Sequence, residues 1–201
     1  CLLIDERGQA RDVEWKMEVA HRLAKIAVEQ YGLSTSDLIF DPLTFTLGTG
    51  AIDMRRDGLY TLEAIERIKK EIPGAYTTMG LSNISFGLSP ATRQVLNSVM
   101  LEEARKRGLD SAIVHFSKIL PATKIPDDQR KVCLDVIYDN FTEDYDPLKT
   151  LMAMFEGVSS VTAEKEDRSD WTIEQILRRR IIDGEREGLT ADLDRAMAEG
   201  N

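Results

Sequence analysis

The sequence predicts an α/β fold: four β/α units that amount to half of a (β/α)8 TIM barrel, then a linker and the start of an all-α domain. Three observations carry this. Short apolar runs at Leu2–Ile4, Leu38–Phe40, Thr77–Leu81 and Ser111–Val114 each end in a polar turn. Each run is followed by apolar residues at helical spacing. Each unit takes roughly 35–40 residues, which suits a barrel with modest insertions. The strands are expected to be buried on both faces, as parallel strands covered by helices are. A doubly wound sheet is the second choice, but no Gly-x-Gly-x-x-Gly turn follows any strand, which argues against a dinucleotide site.

The elements follow in order. Leu2–Ile4 is a short strand that ends in Asp5-Glu6-Arg7-Gly8. Asp12 caps a helix from about Val13 to Tyr31, with Val19, Leu23, Ile26 and Ala27 on one face and Gly32 as its stop. Leu38–Phe40 is a second strand, closed by Asp41-Pro42, and Thr44–Gly50 is a glycine-containing loop. A helix from near Asp57 to Glu71 turns Leu62, Ile65, Ile68 and Ile72 inward and ends at Pro73-Gly74. The third strand runs into Ser82-Asn83-Ile84-Ser85, and Ser89-Pro90 opens the next helix, serine as cap and proline in the first turn. That helix carries Val95, Leu96, Val99 and Ala104 and stops at Gly108. The fourth strand ends at His115-Phe116-Ser117-Lys118, and Pro126-Asp127-Asp128 starts a helix with Val132, Val136 and Ile137 inward. Asp146-Pro147 begins a further helix through Phe155. Residues 158–170 read as a polar linker, and 171–201 as two amphipathic helices that begin a second domain.

Composition narrows the function. The chain has 201 residues, 42% hydrophobic and 30% charged, with a net charge of −9. That is ordinary for a globular protein and speaks against nucleic acid or an anionic membrane as the main partner. Cys1 and Cys133 show neither metal-ligand spacing nor a disulfide framework, so a reducing cytoplasm is expected. No apolar run is long enough to span a bilayer. The first residue is Cys and sits inside an apolar run, so the chain is expected to be a fragment of a longer one.

In a barrel the C-terminal ends of the strands face one mouth, and polar residues there are the first candidates for a site. The four ends offer Asp5, Asp41, Asn83 and His115. Asn83 brings two donors and an acceptor on a neutral amide, flanked by serines, with Gly80 and Gly87 on either side. Carboxylates at such a mouth suit a ligand with a donor-rich edge, because a carboxylate accepts two parallel N–H bonds. A 2-amino-4-oxo pterin has such an edge. A metal is not expected: no second His or Cys stands at ligand spacing. Plainer readings stand beside these. Asp41 before Pro42 also suits a turn former, Asp5-Glu6 a solvated turn, and His115 a satisfied polar residue under a loop. The Asn83 segment also suits a turn whose side chains satisfy local backbone. Lys118 and Arg93 could meet an anionic tail or be ordinary surface charges. Cys133 reads as core, and Arg178–Arg180 as a solvated face.

Leu38-Ile-Phe-Asp-Pro42, Gly80-Leu-Ser-Asn-Ile-Ser-Phe86 and Leu109-Asp-Ser-Ala-Ile-Val114 together closely resemble the C-terminal half of the pterin-binding barrel of the cobalamin-dependent methionine synthases. Their wider relatives are the methyltetrahydrofolate:corrinoid methyltransferases. Ile4-Asp-Glu-x-Gly8 fits the preceding strand end, and Leu177–Gly188 resembles the start of the helical cap before the cobalamin domain. The resemblance implies roles. Asp41 would hold the amino and ring N–H edge of methyltetrahydrofolate. Asn83 would be catalytic, bonding the pterin near the nitrogen that carries the methyl group. Asp5 would be a further pterin-side contact. The methyl would pass to cobalamin, held by another domain of the same polypeptide, and then to homocysteine. Departures are also plain: the first half of the barrel, the zinc-bearing homocysteine domain and the Asp-x-His-x-x-Gly lower-ligand motif are absent from these residues. Alone, the chain is expected to be inactive and either unstable or self-associating. A dihydropteroate synthase-like barrel is an alternative that would need basic groups for a pyrophosphate, with only Lys118 nearby; a non-catalytic remnant or interaction module is another.

Overall fold

A computed structural model gives the fold of residues 1–158, 168, 170–183 and 188–199. A hairpin comes first, β1 (Ile4–Asp5) paired antiparallel with β2 (Gly8–Gln9). It leads into α1 (Val13–Lys25), capped by Asp12, whose carboxylate accepts from the Trp15 N–H. The last turns of this helix, Ile26–Gln30, widen into a π-helix, and Gly32 ends it at φ +68. The helix expected to Tyr31 is therefore α-helical only to Lys25. The strand β3 (Ile39–Phe40), helix α2 (Asp57–Glu71), strand β4 (Tyr76–Gly80), helix α3 (Pro90–Lys106), strand β5 (Ser111–Ile113) and helix α4 (Asp127–Ile137) alternate as the sequence predicts. Ser89 caps α3 and Pro90 sits in its first turn. Helix α5 (Pro147–Met154) is capped by Asp146.

The sheet is parallel, in the order β3-β4-β5, with Phe40 opposite Thr77 and Gly80 opposite Ile113. Leu2 adds an isolated parallel bridge to Asp41. Sequential strands of this sheet are thus spatial neighbours. The first strand differs from its expectation: only Cys1–Leu3 bond to the sheet, around the single bridge at Leu2, because the chain then turns away into the hairpin. Asp110, just before β5, fixes the register at the other side. Its carboxylate accepts from the Thr77 N–H at 2.7 Å and from the Lys69 Nζ at 3.0 Å.

Helices cover one face of this sheet. Phe40, Thr77 and Met79 point into that cover and are fully buried. One apolar cluster joins Leu3 and Phe40 to Val13, Met17 and Ala20 of α1 and Ile68 of α2. A larger one joins Met79 and Leu81 to Val95, Leu96 and Val99 of α3, Cys133 and Val136 of α4 and Leu151 of α5. The other face is open, which corrects the expectation of burial on both sides. Ile39 is 49% exposed and Ile113 71%. Their strands read as continuous apolar runs, yet among the described residues nothing covers that face.

Two last helices, α6 (Ile173–Asp183) and α7 (Leu189–Glu199), pack on each other, with an Arg180–Asp192 ion pair between them. Ile173, Ile176 and Ala196 are buried, while Ile181 and Met197 are exposed. Most of the linker expected over 158–170 lies outside the described residues. No described helix is long and apolar enough to cross a membrane.

Candidate functional site

The loops that follow β3 and β4 meet over the C-terminal end of the sheet. The Leu47 N–H donates to the Ile84 carbonyl at 2.9 Å, and the Thr46 hydroxyl to the Phe86 carbonyl at 2.8 Å. Gly48 makes this meeting possible: a Cβ there would stand 2.5 Å from the Phe86 carbonyl oxygen. Between the loops lies a cavity of about 400 Å3. Asp41, Leu43, Thr44, Phe45 and Thr46 line it from the first loop, and Gly80, Asn83 and Phe86 from the second. Leu2 and Gln9 complete the wall from the hairpin side.

Asp41 stands on the open face at the end of β3. One carboxylate oxygen accepts from the Leu43 N–H at 2.9 Å, which closes a local turn. That turn puts Leu43 at φ +63, in the left-handed region that a branched side chain rarely adopts. The Thr61 hydroxyl of α2 donates to the Leu43 carbonyl at 2.9 Å and helps to hold it there. Burial pushes the Asp41 carboxyl up; the Leu43 N–H and the Lys16 ammonium pull the other way without cancelling it.

Asn83 lies in a 3-10 turn, Leu81–Ser85, directly after β4. Its backbone carbonyl accepts from the Phe86 N–H at 3.1 Å. Its Nδ2 is 4.0 Å from the place a Cβ on Gly80 would take, and its side chain has no protein hydrogen-bond partner among the described residues. The serines beside it serve the turn instead. Ser85 donates to the Ser82 carbonyl at 3.4 Å, and Arg93 of α3 donates to both the Ser85 hydroxyl and the Ser82 carbonyl. Arg93 is therefore a brace for the turn. Gly87 takes φ +91 at the exit.

The structure brings Asp41 and Asn83 to one cavity and leaves Asp5 and His115 out of its wall. Asp5 is engaged elsewhere: its carboxylate accepts from the Arg7 Nε at 2.9 Å and the Trp15 Nε1 at 3.0 Å. The Arg7 guanidinium holds that carboxyl far below the usual range. What Asp5 does here is shape the hairpin that carries Gln9 to the cavity. His115 is exposed and bonds Ser117 through Nδ1 at 3.0 Å. Lys118 does not line the cavity, and neither does any other Lys or Arg among the described residues.

Four residues escaped the sequence reading. Gln9 and Phe45 line the cavity through connections that no local pattern announces. Thr44 is buried in the wall, and its hydroxyl has no protein partner among the described residues. Lys16 is buried directly behind it. Lys16 did leave a signal: it lies three residues after Val13 and four before Ala20, inside an otherwise apolar helix face. No group of three or more His, Cys, Asp or Glu among the described residues could hold a metal.

A carboxylate and a free amide facing one cavity across two strand ends match a planar ligand with donors on one edge. Residues 3–115 match the family described as pterin binding enzyme. The chain belongs to the pterin-binding enzymes. Two of its relatives are methionine synthases. The chain is 54% identical to that of Mycobacterium tuberculosis (strain ATCC 25618 / H37Rv) over 203 residues, 99% of the chain and 17% of the relative. It is 51% identical to that of Mycobacterium leprae (strain TN) over 202 residues, again 99% and 17%. The chain thus spans about a sixth of the length of these relatives. The cavity between the β3 and β4 loops lies within the matched residues, and Asp41 and Asn83 are among the polar groups in its wall.

Proposed function

We propose that this chain forms part of the methyltetrahydrofolate site of a methionine synthase, and that its cavity takes the pterin ring. The observation that carries this is the joint placement of Asp41 and Asn83 on one cavity wall, in a chain of this family. Asp41 would accept from the 2-amino group and the adjacent ring N–H. Asn83 would face the ring nitrogen that bears the methyl group. That nitrogen must gain a proton, or a hydrogen bond that grows into one, before the methyl can leave. An amide can accept from the protonated nitrogen or donate to the free one by turning over, so it serves both states.

The fold supports the same reading. Sequential parallel neighbours, helices on one side and an open strand face are what one arc of a (β/α)8 barrel presents. We take residues 1–157 as that arc, the C-terminal half, 158–170 as a linker, and 171–201 as the start of the helical part of a cobalamin-binding domain. Cobalamin would supply the cobalt that accepts the methyl group. The sequence has no Asp-x-His-x-x-Gly motif, so no residue of this chain is assigned to hold it. Two free thiols suit a reducing cytoplasm. Among the described residues no Lys or Arg lines the cavity, which does not favour a pyrophosphate substrate.

The test is Asn83→Ala in the complete product of the gene that encodes this chain. Methyl transfer from methyltetrahydrofolate should slow by about a hundredfold or more, as for loss of a group that stabilises developing charge. Binding of the folate should weaken far less. An unchanged rate would remove Asn83 from the chemistry.

A further inference from the structure

We propose that Lys16 is a positioning residue for this cavity, one ammonium that ties together the two segments that line it, the hairpin exit that carries Gln9 and the loop that carries Asp41 and Phe45. The proposal rests on the pterin reading above and deepens it.

Lys16 is wholly buried, which is rare for a lysine. Its Nζ donates to the Ala10 carbonyl at 2.9 Å and to the Pro42 carbonyl at 2.5 Å. It also lies 5.1 Å from the centre of the Phe45 ring. An ammonium has three donors and no acceptor, and here each direction has a destination. Each destination adjoins the cavity. Ala10 follows Gln9, Pro42 follows Asp41 and precedes Leu43 with its positive φ, and Phe45 is itself part of the wall. Met would fill a similar volume in the α1 face, so packing alone does not call for a charge there.

The charged groups around Lys16 set its pH behaviour. Burial pushes the ammonium down to about 8. The carboxylates of Asp57 on α2, Asp41 after β3 and Asp12 before α1 oppose this, and Arg11 adds to it. Arg11 is paired with Asp57 and lies 4.7 Å from the same Phe45 ring. The ammonium is therefore intact at neutral pH and is lost as pH rises past about 8. Loss of the charge weakens the bond to Pro42 and the attraction to Phe45, and it removes a positive charge from beside Asp41.

The experiment is calorimetric titration of 5-methyltetrahydrofolate into the complete gene product, wild type, Lys16→Met, Lys16→Arg and Asp41→Asn, across the pH range on both sides of 8. Lys16→Met should weaken binding by about tenfold or more at neutral pH. Wild-type affinity should fall as pH rises past 8, and that fall should be absent in Lys16→Arg, whose charge persists. If Lys16→Met does not fold, the comparison of wild type with Lys16→Arg decides alone. Equal alkaline falls in those two proteins, or full affinity in Lys16→Met while Asp41→Asn is impaired, would overturn the role of Lys16. If Asp41→Asn also binds at full strength, the pterin reading of the cavity fails and this inference fails with it.

Discussion

Asp41 and Asn83 differ in what surrounds them, and the difference assigns their work. Asn83 has a side chain with no protein hydrogen-bond partner among the described residues, so a ligand displaces none of the bonds seen there. Asp41 already accepts from the Leu43 N–H, and its carboxyl is raised by burial. A ligand edge with two donors needs the ionised form. Folate binding should therefore weaken as pH falls through the raised Asp41 titration. Asp41→Asn should cost about 10- to 100-fold in affinity, the worth of a bond to a charged group, and should abolish that acid limb. Titration between about pH 4 and 7 reads both effects. At this scale the sequence was half legible. Asp41 and Asn83 could be named because both stand at strand ends, where short polar runs interrupt apolar ones. Gln9 and Phe45 could not, because their place depends on a hairpin and on a loop crossing that leave no periodic mark. Asp5 looked like a third member by the same strand-end logic. Arg7 and Trp15 draw it into the hairpin instead.

The elements owe their boundaries to local chemistry, which is why most could be read in advance. Asp12, Ser89 and Asp146 each accept from a backbone N–H in the first turn of the helix they precede, and such caps are visible as residue types. The β1-β2 hairpin and the π-helical end of α1 were not visible. One is a turn set by side-chain bonds from Arg7 to Asp5, the other a small change of winding within an unbroken helical pattern. The two loops around the cavity depend on one close approach. Gly48→Ala would drive a methyl group into the Phe86 carbonyl, which is backbone and cannot swing aside. We expect about 2 kcal/mol of destabilisation from such overpacking. The bonds from Leu47 and Thr46 to the β4 loop should loosen with it. Chemical denaturation measures the first effect, and faster amide exchange at Leu47 the second.

For the molecule as a whole, the open strand face decides behaviour in solution. Ile39, Tyr76 and Ile113 are exposed together on one face of the sheet, and among the described residues β5 leaves a free edge. Strand pattern alone suggested cover on both sides, since a run such as Leu38-Ile-Phe40 is apolar at every position. Apolar residues on the open face are as informative as a missing wall. The 201-residue chain by itself is expected to self-associate or to melt without a sharp transition. Sedimentation as a monomer together with a steep cooperative melt would show that this face tolerates water. The two cysteines offer an independent view of the same question. Cys1 is exposed, whereas Cys133 is fully enclosed by the larger apolar cluster, and burial pushes its thiol up to about 12. Only a thiolate reacts with an alkylating reagent, so Cys133 is silent until α4 leaves the core. Mass spectrometry of alkylated protein should show one adduct within the mixing time and a second that arrives only as fast as the core opens. The interval between them is a clock for breathing of the α3-α4-α5 layer, built into the chain with no added label.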